Sequence, residues 1–151
     1  MNLALKEAAK AAAENEVPVG AVVVFQNKII GRGYDRREAL KDPTAHAEII
    51  AMKQAALHVG GWRLCDCDLY VTLEPCPMCA GAMILARIRK LFYGARNHKF
   101  GAVETHSRLL DIPDFNHRVE VVGGILEENC AEAIRQFFRN KRNAGESSGM
   151  K

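Results

Sequence analysis

The sequence predicts an α/β fold, a three-layer α/β/α sandwich around a five-stranded mixed sheet, and three observations carry that expectation. Short apolar runs of strand type alternate with helical stretches along all 151 residues, in the order helix, strand, strand, helix, strand, helix, strand and later strand, helix. The first two strands are joined only by a turn and the others by helix-length connections, which asks for one mixed sheet with helices on both faces. Residues of metal-ligating type stand where strands end and helices begin, the usual place for a site in such a fold.

Each element has a local reason. Residues 3–13 are rich in Ala, Lys and Glu with apolar side chains at helical spacing. Residues 19–25 form an apolar strand, Gln26-Asn27 the turn, and residues 28–33 its hairpin partner. Asp42-Pro43-Thr44 is a helix start signal, with Thr44 as the expected N-cap of a helix through Leu57. Residues 68–73 are a third strand leading into a helix from Cys76 to about Ala86. Pro75 and Pro77 flank its start, where a locked φ and a missing N–H are tolerated. Residues 91–94 and 118–122 are the fourth and fifth strands, and an amphipathic helix runs from Glu127 to about Asn143.

The whole chain bounds the function classes. Its 151 residues suit one domain spanning residues 1–151, with no linker or internal repeat. No apolar run approaches the roughly 18 residues of a membrane span, and the N-terminus has no secretory pattern, so the expected location is the cytoplasm. Five cysteines argue against a disulfide framework, and Cys65, Cys67 and Cys130 read as reduced, small apolar residues. The net charge of +3 is concentrated late: Arg135, Arg139, Lys141, Arg142 and Lys151 against Glu146 give +4 for residues 135–151. This basic end of the helix or tail starting at about 127 is either a solvated face that complements the helix dipole or a contact for phosphates.

His46-Ala47-Glu48 and, thirty residues on, Pro75-Cys76-Pro77-Met78-Cys79 carry the chemistry. Together they have the form H-x-E…P-C-x-x-C. One imidazole and two thiolates are the donors that Zn²⁺ favours, and two Cys separated by two residues reach one ion when a helix begins between or just before them. The positive end of that helix lowers the thiol pKa and favours the bound anion. Three protein ligands leave a fourth tetrahedral position for water, which marks a catalytic site. Glu48, two residues beyond His46, diverges from it on a helix and is placed beside the ion for general acid/base work. A lone C-x-x-C also serves redox pairs and structural zinc knuckles. The latter need a fourth ligand, for which Cys65, Cys67 or His58 are the candidates.

The complete pattern is the signature by which zinc deaminases are recognised. Over nearly its full length the chain resembles the cytidine-deaminase-like superfamily and, within it, the bacterial tRNA-specific adenosine deaminases. The likeness runs through Glu16-Val17-Pro18-Val19-Gly20-Ala21, Asp42 to Ile49, Leu69 to Cys76, Met78 to Met83, and Gly94-Ala95-Arg96. It continues through Phe115-Asn116-His117-Arg118-Val119-Glu120-Val121 and Gly124 to Glu127, and ends at Phe137-Phe138-Arg139. The resemblance implies a homodimer with one zinc per subunit, and hydrolysis of adenosine to inosine at the wobble position of a tRNA anticodon stem-loop. It places Asn116, His117 and Arg118 near flanking nucleotides, although turn chemistry before the fifth strand is the plainer reading of Asn116 and His117.

The chain departs from that family at three places. Asp35 stands where the family usually has a purine-contacting Asn, and an ionised carboxylate only accepts hydrogen bonds. Glu104-Thr105-His106 replaces small or apolar residues, and Asn97 a frequent acidic one. These departures define the alternative to RNA editing, deamination of a free purine base or nucleoside such as guanine. A third reading, a zinc-stabilised RNA-binding domain, makes Glu48 incidental.

Overall fold

Gln26 and Asn27 both take left-handed backbone conformations, φ 49° and 62°. Such a turn matches the right-handed twist of the strands it joins, and β1 (Gly20–Phe25) and β2 (Lys28–Tyr34) accordingly pair antiparallel. In this computed structural model, which describes residues 1–148, the hairpin forms one end of a five-stranded sheet in the order β2-β1-β3-β4-β5. β3 (Asp68–Leu73) runs antiparallel to β1, whereas β4 (Lys90–Ala95) is parallel to β3 and β5 (Glu120–Val122) parallel to β4. The sheet is mixed, as the sequence predicts.

Helices α1 (Asn2–Ala13) and α5 (Glu127–Ser148) pack together on one face, while α3 (Ala47–Val59) and α4 (Pro77–Ala86) pack together on the other. Val23, Leu69, Val71 and Leu91 of the inner strands are buried between the layers. Small residues set how closely helix and sheet approach: Ala47, Ala51 and Ala55 of α3 are fully buried. A Cβ added to Gly33 of β2 would stand 2.3 Å from the Ala47 carbonyl oxygen. That glycine lets the sheet seat the start of α3, and with it the candidate site.

Three expectations are corrected. Thr44 is not an N-cap, because its N–H and hydroxyl both bond the Asp42 carboxylate, at 2.8 and 2.7 Å. This Asx-type turn competes with helix and keeps residues 42–45 out of it. His46, in extended conformation, is the N-cap, and α3 begins one residue later. A one-turn helix, α2 (Arg37–Leu40), occupies the preceding loop. β5 is shorter than its apolar pattern, since ladder pairing spans only Glu120–Val122. α5, by contrast, continues past Asn143 to Ser148, an exposed helix tolerating Gly145 at about 1 kcal/mol. Lys151 of the basic end lies outside the described residues. Among them, no helix is long and apolar enough to cross a membrane.

Candidate active site

Two helix starts converge at the ends of the inner strands. β3 delivers Glu74-Pro75-Cys76, with Cys76 the N-cap of α4 and Pro77 its first residue. Cys79 follows one turn into α4, and His46 caps α3. The Sγ atoms of Cys76 and Cys79 lie 3.7 and 3.6 Å from Nδ1 of His46. These are the separations that two ligands of a tetrahedral ion require when bonds are about 2.0–2.3 Å long. The three donor atoms lie within 4.8 Å of one another, and among the described residues no other group of His, Cys, Asp and Glu does this. One nitrogen and two sulfurs fit a zinc-type metal.

The electrostatics separate the two thiols, holding Cys76 toward the thiolate and Cys79 toward the thiol. The Cys79 thiol donating to Cys76, together with His46 beside it, holds Cys76 down to about 4 against the effect of burial. Donation to Cys76 and burial push the Cys79 thiol upward. Glu48 is 4% exposed. Burial, and then the charge of Asp35, raise its pKa to about 7.

Asp35 has a structural task beside the cavity. Its Oδ1 accepts the Ala47 N–H at 2.9 Å, the first amide of α3, which otherwise has no partner within the helix. Arg37 stands 3.7 Å from Oδ2. Burial raises the Asp35 pKa, opposed by the Ala47 bond and by neighbouring His46 and Arg37. A residue expected as a base contact thus satisfies the first amide of the helix that carries Glu48.

His46, Glu48, Cys76 and Asp35 line a cavity of about 740 Å³, a size suited to a small ligand or an extruded base. Arg37, Arg96 and Lys99 line it as well, together with Phe100 and Phe138, which are 66% and 38% exposed. Sequence reasoning quoted Arg96 and Phe138 only as part of the family resemblance and assigned none of these residues to a site, since their signal, cations interleaved with aromatics, is spread over loops and α5. Glu74 was also missed, although its position next to Pro75-Cys76 was a clue.

Of the remaining sequence candidates, Asn97 and Arg135 also line this cavity and the others lie elsewhere. Asn116 and Arg118 are exposed and do not line this cavity. His117 donates from Nε2 to the Ile88 carbonyl at 2.7 Å, which anchors the turn before β5. Glu104 accepts from the Tyr93 hydroxyl, and His106 bonds the His98 carbonyl at 2.6 Å. Neither lines the cavity, so Glu104 gives no support to a free-purine site. Asn97 Oδ1 accepts the amides of Lys99 and Phe100, a local turn. Arg135 and Arg139 are paired with Glu128 and Glu132. Counted from Glu127, the end of the chain has five basic and four acidic residues, so its charge is far more balanced than the count from 135 suggests.

Comparison with known proteins places these features. The family model of MafB19-like deaminases matches residues 1–142. The tRNA-specific adenosine deaminase of Agrobacterium fabrum is 49% identical over 142 residues, covering 94% of this chain and 93% of that protein. That of Bacillus subtilis is 47% identical, covering 94% and 88%. A solved tRNA:A34 deaminase, an enzyme of A-to-I editing at the wobble position of transfer RNA, superposes with a TM-score of 0.85 at 47% identity, covering 88% of this chain and 96% of that one.

Proposed function

Since the chain belongs to the tRNA-specific adenosine deaminases, we propose that it hydrolyses adenosine to inosine at the wobble position of a tRNA anticodon, with one zinc ion per subunit held by His46, Cys76 and Cys79. The observation that carries this reading is the convergence of one nitrogen and two sulfurs beside a buried carboxylate, Glu48, at a cavity that His46, Cys76 and Glu48 line. Zinc, when bound, is a Lewis acid that brings the ionisation of water down to about pH 7. Glu48 is the proton carrier. It accepts the proton that water gives up on attacking C6 and passes it to the adjacent ring nitrogen, then takes the second proton from the new C6 hydroxyl and hands it to the departing amine. The C6–N bond breaks, a C6–O bond forms, and adenosine plus water become inosine plus ammonia. Burial poises Glu48 near neutrality, where a group both takes and gives protons efficiently.

The target base must leave the anticodon loop to reach the cavity, which suits RNA recognition by splayed, unstacked bases. Asp35 is proposed to lie beside the base, where its ionised carboxylate offers only acceptors and leaves a ring-nitrogen acceptor without the donor that an amide would supply. Exposed Asn116 and Arg118 are proposed to touch nucleotides beyond the cavity, with His117 holding their turn. The proposed homodimer is supported by Leu57 and Leu85, 84% and 70% exposed on the mutually packed α3 and α4. The proposed site of action is the cytoplasm.

The test is inosine formation by zinc-loaded protein on an anticodon stem-loop with adenosine at the wobble position, run beside ammonia release from free purines. Glu48→Ala is the control. Inosine in RNA alone is the expected result, and ammonia from a free purine without RNA editing would overturn the reading.

A further inference from the structure

The segment from Asn97 to Thr105 carries His98, Lys99 and Phe100 to the cavity without belonging to any strand of the sheet. Its backbone donors still need partners. Four of them find one carboxylate: the amides of Asn97, Val103, Glu104 and Thr105 bond Glu74 at 3.1, 3.2, 2.8 and 2.9 Å. The Thr105 hydroxyl donates to the same group. Glu74 is 1% exposed and lies two residues before Cys76. A Cβ on Gly101 would fall 2.5 Å from Glu74 Oε2, so glycine is needed for the loop to close over the carboxylate. Hydrogen bonds to an ionised acceptor are about twice as strong as neutral ones, and here they join a loop of the cavity mouth directly to the segment bearing a metal ligand.

We propose that Glu74 is a positioning residue for substrate binding, clamping loop 97–105 so that Phe100 stands at the cavity mouth as a stacking face for the nucleobase next to the one that reacts. The inference rests on the RNA reading above. Lys99 approaches within 5.9 Å of the Phe138 ring centroid, so loop and α5 meet at this mouth. Exposed aromatics beside cations hold unpaired nucleotides because every base has a π-face. Glu74 itself does not touch the substrate in this scheme. It acts through the loop.

Glu74→Gln keeps the shape but turns an amide NH₂ toward the loop's donors. The expected result is a KM for the anticodon stem-loop raised about tenfold, with kcat changed by no more than about twofold and one metal per chain retained. Amide exchange at residues 103–105 should speed up. Phe100→Ala should raise KM similarly, and the double variant should be no worse than the worse single one, since both remove the same contact. An unchanged KM, additive effects, or loss of metal together with kcat would overturn the proposal. If Glu74→Gln does not fold, Thr105→Val decides, because it removes only the hydroxyl donor. A smaller KM rise with faster exchange supports the clamp, and neither change sinks it. Wild-type protein that forms no inosine counts against the RNA reading alone, and the clamp is then judged by exchange.

Discussion

The two ends of the cavity are built by opposite means. At the proposed metal end, the three donor residues sit on helix starts, and short-range order presents each of them before packing joins the two helices: Cys76 and Cys79 are one helical turn apart, and His46 caps the adjacent helix. At the mouth, residues 97–105 are irregular and depend on Glu74, a side chain 23 to 31 positions distant, for their shape. The difference teaches a division of labour. Regular elements hold the atoms proposed to do the chemistry, where a small displacement is costly, and a clamped loop holds the surface proposed to meet a large ligand.

Substitutions at the two ends should therefore fail differently, and the sharpest break is at the metal. Cys79→Ala should abolish both metal binding and turnover, measurable as metal content per chain beside inosine formation. Glu48→Gln should keep the metal and lower kcat by about 10²–10⁴, the usual contribution of a positioned acid/base. Retained turnover in that variant would remove Glu48 from the chemistry. Asp35→Asn keeps an oxygen for the Ala47 amide and adds a donor. It should raise kcat/KM on the adenosine stem-loop by roughly 5- to 100-fold, the range expected when a buried polar group regains its partner. A fall would show that the base presents a donor at this point. Lys99→Ala, at the mouth, should leave kcat alone and reduce the salt dependence of stem-loop binding by a slope of about one. If kcat falls instead, the mouth takes part in chemistry and the division between the two ends is wrong.

Legibility followed the same division. Order and type of the main helices and strands could be read from periodicity, and His46, Cys76 and Cys79 from their spacing, because each signal lies within a few residues of the group it describes. The start of α3 was misplaced at Thr44, since the competing Asx turn satisfies the same donors that a cap would. Asp35 looked like a base contact, and nothing local could say that its carboxylate satisfies the first amide of a helix twelve residues later. Glu104 looked like a substrate group, yet its partner is Tyr93 on a strand.

By itself, then, the sequence determined the α/β layering, the donor set for a metal and the carboxylate beside it. These follow from hydrophobic period and from residue chemistry at short separations. Only the tertiary structure decided that His46 Nδ1 meets two sulfurs at 3.6 and 3.7 Å, that Glu74 gathers the mouth loop, and which cations and aromatics share the cavity. Those outcomes depend on where separate elements are brought by packing. A buried carboxylate accepts whichever amides the fold delivers to it, and no local pattern records which they are.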